Sequence, residues 1–398
     1  MGVDTTATPV VKPEPGELGE LVRDLCSARR HWMPSGLGNH LHWGPSVSVE
    51  TTTLSMARCN RLLEHAVSDF TVTVEAGLPL QVLQQELGRT GQWLAVDPPP
   101  GEGDSSIGGL VARGISGGLQ HRYPGIRDQL IGLSLWRADG VAAKAGGRVV
   151  KNVAGYDLMR LFSGSWGSLG LMQTLTLRTY PLPPARCWAL VQGPFAELAR
   201  LRAALLRSSL TPERVDWWSE SLARRHRCSD GGAGPLLCIG LASIASQALD
   251  DQLAALSRLA PSCLRLEAAE QDPSGSAAAW QPERGGWLLR LGCPGADPVA
   301  LLDPVSGDPH GLTGGELCWG AATGLADLRL AASVRPAAVA DLRRRCRAAG
   351  GFLVVLQAPD QAAREAVPST PPDAVSLAIK AAFDPLKLLS PGRLPGGP

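Results

Sequence analysis

The chain has 398 residues, 44% of them hydrophobic, and a formal net charge of +1. That length exceeds one typical domain and supports two real cores. The balanced charge gives no global field for nucleic acid or an anionic membrane. Nine scattered cysteines without a C-x-x-C pair argue against zinc ribbons, thioredoxin-like motifs and cysteine-held clusters, so no metal site is expected. Their odd number and apolar neighbours point to reduced, buried thiols in a cytosolic protein. No stretch approaches a membrane span, and the N-terminus has no basic-then-apolar leader. Met1-Gly2 with Thr6 fits the bare myristoylation pattern, which is read as chance.

Residues 1–16, rich in proline and threonine, are expected to form a disordered tail. From Glu17 to Arg30, Leu18, Leu21, Val22 and Leu25 recur at helical spacing. Next comes His31 to Gly44, with Gly36-Leu37-Gly38. The third glycine of a Rossmann fingerprint is missing there: Leu41 takes its place, and a strand-like alternation from Ser46 to Leu54 follows instead of a helix. The turn is either a nest of N–H donors for an anion or an ordinary hairpin turn. Phe70 to Ala76 reads as a strand. A helix opens at Pro79 with Leu80, Val82, Leu83 and Leu87 on one side and ends at Gly91. Trp93 to Val96 is a short strand, and Asp97-Pro98-Pro99-Pro100-Gly101 is read as a junction between two lobes.

The run from Ser105 to Tyr180 is the densest in glycine. Gly108-Gly109, Gly146-Gly147, and Gly164 with Gly167 and Gly170 read as turns between strands such as Leu130 to Trp136 and Leu171 to Thr179. Glycine lets backbone N–H groups approach a ligand and permits positive φ. On spacing alone, the run either wraps a cofactor with phosphates and a flat ring or is a glycine-rich β-meander.

Past Pro181 to Pro184 the texture changes. Helices are expected over Phe195 to Ser209, Ala248 to Ala260 and Arg335 to Ala349, the last with a solvated face of Arg343, Arg344, Arg345 and Arg347. Strands are expected over Leu236 to Ser243, Trp287 to Gly292 and Phe352 to Leu356, with weaker ones at Leu317 to Trp319 and Leu328 to Ala331. Residues 357–374 read as a loop. Leu377 to Pro395 reads as a helix stopped by Asp384-Pro385, then a tail. The alternation predicts an α+β cap of ferredoxin-like type.

Two blocks carry a family resemblance. One is Lys151-Asn152-x-x-Gly155-Tyr156-Asp157-Leu158. The other is Gly164-Ser165-x-Gly167-Ser168-Leu169-Gly170. Around them, in order, stand Pro34 to His40, Asp97-Pro98-Pro99 with Ser106-Ile107-Gly108-Gly109, and Phe383-Asp384-Pro385 through Ser390-Pro391-Gly392-Arg393. Over roughly residues 17–395 the chain resembles the PCMH-type FAD-binding superfamily that includes vanillyl-alcohol oxidase. Closer still, it resembles the FAD-binding E subunit of glycolate oxidase.

The resemblance implies an α+β fold with a two-lobed FAD-binding domain (residues 17–183, lobes 17–97 and 98–183). A ferredoxin-like cap (184–398) would follow, its tail 383–395 touching the cofactor. Gly36, Leu37, Gly38, Asn39 and His40 would cradle the FAD pyrophosphate. Ser106, Ile107, Gly108, Gly109, Gly114, Ser116 and Gly117 would bring a second segment against it. Tyr156, Asp157, Gly167, Leu169, Gly170, Leu171, Pro391 and Gly392 complete the expected contacts, though Tyr156 reads equally as a core aromatic.

Relatives that attach FAD through histidine have it where Asn39 stands, so non-covalent FAD is expected. Ser390 replaces a customary asparagine. The resemblance further implies a 2-hydroxy acid substrate, a larger FAD-binding D-type subunit and an iron–sulfur F-type subunit as partners. It places the protein in the cytoplasm, at the inner membrane face through the complex. No catalytic residue is assigned, because the H-x-G-D-G-N motif of the D-type subunit is missing. His226 and His310 belong to no cluster, and Arg290, Arg329 and Arg335 read as surface or ion-pair residues. A stand-alone FAD-dependent 2-hydroxy acid dehydrogenase and a flavin-free structural paralogue are the alternatives.

Overall fold

The computed structural model describes residues 9–45, 47, 49–99, 104–148, 156–226, 234–270, 272–273, 285–293 and 314–396. Lys151, Asn152, Gly155, Cys228 and His310 lie outside these. The two β-branched residues of β1 (Val10–Val11) pair in parallel with β3 (Thr52–Ser55), and β3 pairs in parallel with β2 (Trp32–Ser35). Glu14 also pairs with Arg58 at 3.2 Å. The expected tail over 1–16 is therefore corrected from residue 9 onward. Its partners are some forty residues away, which local composition does not register.

Helix α1 (Leu18–Ser27) buries Leu18, Val22 and Leu25, the stripe its spacing predicts. Strands β4 (Leu62–Ala66) and β5 (Thr71–Glu75) precede α2 (Leu80–Gly88) and β6 (Gln92–Trp93). Then come α3 (Ile107–Arg113), α4 (Ile126–Gln129), β7 (Leu130–Trp136), β8 (Ala142–Gly146), β9 (Leu171–Arg178) and β10 (Tyr180–Pro181). A five-stranded antiparallel sheet runs β4-β5-β9-β7-β8. It draws β4 and β5 from before residue 97 and the rest from after it, so the expected division at 97/98 runs through one sheet. One core joins both sheets, with Trp32, Leu54, Val74, Leu110 and Leu175 fully or almost fully buried.

The C-terminal half is one antiparallel sheet of eight strands: β11 (Ala185–Gln192), β12 (Arg214–Trp218), β13 (Leu236–Ser243), β14 (Arg265–Ala269), β15 (Trp287–Gly292), β16 (Glu316–Gly320), β17 (Leu325–Leu330) and β18 (Phe352–Gln357). Their order is β14-β11-β13-β12-β16-β17-β15-β18. With α5 (Phe195–Arg207) and α7 (Ser246–Leu259), the first four strands have the ferredoxin-like order 4-1-3-2. The last four repeat it in mirror order, with α8 (Pro336–Ala348) before β18. The two units meet edge to edge where Trp217 of β12 faces Trp319 of β16.

Residues 357–374 are not wholly loop, because α9 (Gln361–Ala366) lies within them. Asp360 caps it, accepting the Ala363 N–H at 2.7 Å. Helix α10 (Ala374–Phe383) starts three residues earlier than expected, capped by Asp373. Between β12 and β13 a short α6 (Glu220–Arg225) packs near β16. The described cysteines are free thiols, with Cys59, Cys238 and Cys346 buried and Cys263 exposed. Among the described residues no helix is long and apolar enough to cross a membrane.

The halves dock through the chain after β2. Trp43, fully buried, packs against Leu288 and Leu356, and the Gly44 N–H donates to the Leu356 carbonyl at 2.8 Å. Arg290 of β15 donates to the Ser116 carbonyl, and Arg214 of β12 faces both Asp216 and Asp97.

Candidate functional site

Three glycine-bearing segments and the C-terminal tail enclose a cleft of about 810 Å³, counting its open mouth. The first segment follows β2, where the Gly36 carbonyl accepts the Ser55 hydroxyl at 3.2 Å and fixes the start of the turn. Asn39 then donates to the Asp104 carbonyl at 2.8 Å, tying this turn to the second segment. Gly36 is required by space: a Cβ there would stand 1.8 Å from Ser106 Oγ. The N–H groups of Gly36, Leu37, Gly38, Asn39 and His40 donate to no acceptor among the described residues. Unmade amide hydrogen bonds along a concave wall are the donor set an anion needs.

The second segment differs from expectation. Gly108-Gly109 is not a turn but the first turn of α3, capped by Ser106, whose Oγ accepts the Gly109 N–H at 3.1 Å. The Ile107 and Gly108 N–H groups donate to the Leu78 and Ala76 carbonyls at 2.9 and 2.7 Å. So this segment offers close backbone surface rather than free donors. Gly108 permits the approach, since a Cβ there would lie 2.8 Å from Ala76 Cβ.

The third segment enters β9. Its Gly164 and Trp166 N–H groups donate to the Val111 and Ala112 carbonyls, holding it against the end of α3. Gly167 has φ +71°, and a Cβ there would meet Pro34 at 2.7 Å. The tail locks these parts together. Lys380 Nζ donates to Ser168 O, Leu389 O and Asp384 Oδ2, each at 2.7 Å. Asp384 also accepts the Leu388 and Leu389 N–H groups. Ser390 donates to the Gly167 carbonyl at 2.9 Å, and Arg393 donates to the Leu41 and Trp43 carbonyls at 2.9 Å.

Of the expected contacts, Gly36, Leu37, Gly38, Asn39, His40, Ser106, Gly108, Gly109, Gly167, Gly170 and Leu171 line this cleft. The others lie elsewhere. Ile107 and Leu169 are core residues. Gly114 is the left-handed C-cap of α3, and a Cβ on Gly117 would strike Asp97. Ser116 uses its carbonyl to accept from Arg290. Tyr156 is 88% exposed, neither core nor cleft, and Asp157 pairs with Arg160 at the surface. Pro391 and Gly392 are not among the residues that line the cleft, although Ser390 and Arg393 on either side of them are.

Sequence reasoning missed Arg113, Trp166 and Arg393 as lining residues. Arg113 follows Gly109 by four residues on the same face of α3, which was the available signal. Its Nη2 donates to Ser105 Oγ at 2.7 Å and its Nε to the Gly109 carbonyl, while Nη1 is buried with no partner. Burial pushes its pKa down to about 10. His40 Nε2 is likewise buried without a partner. Burial first, then Arg113 and His42, lower the His40 pKa to about 3, so it is neutral at ordinary pH. The orphaned buried donor of Arg113 beside free amides fits an anionic cofactor such as a dinucleotide. The cap cations named from the sequence are engaged: Arg290 pairs with Asp327 at 2.7 Å and Arg329 with Glu316 at 3.7 Å. His226 Nδ1 lies 3.1 Å from the Pro273 carbonyl. Arg335 is the N-cap residue of α8.

Comparison with known proteins agrees with this geometry. Residues 9–146 match the family model described as FAD binding domain. The chain is 34% identical over 167 residues to the glycolate oxidase subunit GlcE of Escherichia coli, covering 42% of this chain and 47% of that protein. It is 32% identical over 198 residues to the mitochondrial D-lactate dehydrogenase [cytochrome] of Arabidopsis thaliana, covering 48% and 34%. The chain thus spans less than half the length of these curated relatives. Among solved structures, an alkyldihydroxyacetonephosphate synthase superposes with a TM-score of 0.70 at 16% identity, covering 96% of this chain and 75% of that one. That likeness concerns the fold. Residues 9–146 are thus similar to the FAD binding domain family, over about a third of the chain.

Proposed function

We propose that this chain binds FAD non-covalently and serves as an FAD-binding oxidoreductase subunit in the oxidation of glycolate or a similar 2-hydroxy acid to the 2-keto acid. The observation that carries the cofactor half is the run of undonated amides from Gly36 to His40, facing the glycine surface of α3. These amides would hold the pyrophosphate. Gly108, Gly109, Gly167 and Gly170 would give the flat and extended parts of the cofactor close backbone surface. Bound FAD supplies a two-electron acceptor for an alcohol carbon. Asn39 at the histidine position of covalent relatives supports a cofactor held by contacts alone, as does His40, whose ring packs edge-on against Trp43.

The substrate half rests on the likeness to GlcE and to the D-lactate dehydrogenase. Oxidising a 2-hydroxy acid needs a base for the hydroxyl proton and a cation for the carboxylate. In the cap, Arg290, Arg329 and His226 are each committed to internal partners. This supports a reading in which partner subunits complete the reaction: a larger FAD-binding D-type subunit and an iron–sulfur F-type subunit that takes the electrons onward. The protein would then work in the cytoplasm, held at the inner membrane face through the complex.

Anaerobic addition of glycolate or D-lactate to the flavin-loaded chain tests this. Flavin absorption that bleaches only with the partner subunits present is the expected result. Bleaching by the chain alone would make it a stand-alone dehydrogenase. Failure to bleach in either setting would remove it from 2-hydroxy acid oxidation.

A further inference from the structure

Arg113 is a buried cation without a counter-ion. Only 8% of its surface is exposed. Among the described residues no carboxylate lies within ion-pairing distance of it. Its polar contacts are the Ser105 hydroxyl and the Gly109 carbonyl, and its Nη1 has none. A buried charge is ordinarily paired, because desolvation costs far more than a neutral contact returns.

Two other buried arginines follow that rule, while the buried Arg393 has carbonyl acceptors, Leu41 and Trp43, for both of its terminal nitrogens. Arg290 and Arg214, equally buried, face Asp327 and Asp216. Arg113 departs from it at the wall of the cofactor cleft, beside the amides of the first segment. Trp43 relates the two: its ring lies 4.6 Å from the His40 ring and 5.2 Å from the Arg113 guanidinium carbon. A planar guanidinium packed on an indole and held at two nitrogens keeps its remaining donor in a fixed direction.

We propose that Arg113 is the counter-ion of the FAD pyrophosphate, pairing with the phosphate oxygens that the Gly36–His40 amides hold. This rests on the functional reading above and adds to it the residue that makes the cleft selective for a phosphorylated flavin. The amides supply partial positive charge, and Arg113 supplies the full charge opposite a dianion. Riboflavin, which has no phosphate, would not sense it.

The full chain, freed of flavin, is compared with Arg113→Met and Arg113→Lys for FAD and for riboflavin, each followed by quenching of flavin fluorescence at low and high salt. Arg113→Met should weaken FAD by about ten- to a hundredfold, the loss of one or two charge-assisted hydrogen bonds. It should leave riboflavin unchanged and flatten the salt dependence of FAD binding. Arg113→Lys, keeping charge without the fork, should fall between. Inorganic pyrophosphate should raise the unfolding temperature of the apo wild type but not of Arg113→Met. Equal weakening of FAD and riboflavin would make Arg113 a scaffold residue and overturn the proposal, as would unchanged FAD affinity. If the wild type takes up no FAD, the functional reading fails by itself, and the pyrophosphate comparison alone decides Arg113.

Discussion

Gly36→Ala puts the cleft's construction to a quantitative test. Gly36 does not have a positive φ, so alanine is not excluded by its backbone conformation. The obstacle is contact: the new Cβ would stand 1.8 Å from Ser106 Oγ and 2.8 Å from Ser106 Cβ. Rotating the hydroxyl away forfeits the N-cap bond to Gly109, worth about 1 kcal/mol. The Cβ contact remains, so the first segment and α3 must also separate, an overpacking cost of about 1–3 kcal/mol. Together these give about 2–4 kcal/mol. In the apo protein part of this is relieved by opening the cleft. FAD needs the closed geometry, so its affinity should fall by roughly thirty- to a thousandfold.

The double variant Gly36→Ala/Ser106→Gly supplies the control. Without the serine side chain the next atom is Gly109 N at 3.8 Å, an ordinary contact, and glycine at an N-cap costs only a few tenths of a kcal/mol. Equilibrium titration with FAD by fluorescence, beside thermal unfolding, reads both effects. The double variant should recover most of the affinity. A single variant that binds FAD as the wild type does, or a double variant no better than the single, would refute this reasoning.

Two further predictions concern buried charges. Asp97 is held at about 7, against an ordinary 3.8, chiefly by burial; Arg214 opposes the shift and Asp216 adds to it. Because the folded value is raised, the favourable contribution is present below about pH 4 and is lost as pH rises through about 7, at most about 4 kcal/mol. Asp97→Asn should therefore unfold like the wild type near pH 4 and at a higher temperature than the wild type near pH 8; a wild-type advantage at the alkaline end would contradict this. Lys380→Met removes the cation from Asp384, whose side chain is fully buried, and should destabilise the chain by about 3–5 kcal/mol in denaturant unfolding. Lys380→Met/Asp384→Asn should recover part of that loss, and equal stability of single and double variants would assign the cost to the lysine's backbone contacts alone.

Local periodicity made much of the fold legible. The helices expected over Glu17 to Arg30, Phe195 to Ser209 and Arg335 to Ala349 each form within a few residues of those bounds. Their apolar spacing is written in consecutive residues. Strands β1, β11, β12 and β14 went unseen because what defines each is a partner distant in sequence, and the hairpin strands β4 and β8 went unseen as well. Helix α9 had a visible cap in Asp360, but its alanine-rich run is too short for a periodicity.

At the cleft, glycine density pointed to the right region without separating roles. Gly36 and Gly167 face the cleft, whereas Gly114 and Gly117 serve packing against Gly164 and Asp97. Gly108-Gly109 was read as a turn because glycine is a poor helix former. Here Ser106 caps them into a helix, and their missing side chains admit Ala76 on one side and the cleft on the other. Arg113 was hidden among many arginines. Its distinction, a buried terminal nitrogen with neither a counter-ion nor any other partner, is a property of three-dimensional surroundings and not of spacing.

The most direct measurement of the central claim is the visible spectrum of the purified full chain titrated with FAD, followed by acid precipitation. The account predicts saturation at about one FAD per chain, with the chromophore in the supernatant. A chain that takes up no flavin would contradict the reading of the Gly36–His40 cleft, and a yellow pellet would contradict non-covalent attachment at Asn39 and His40.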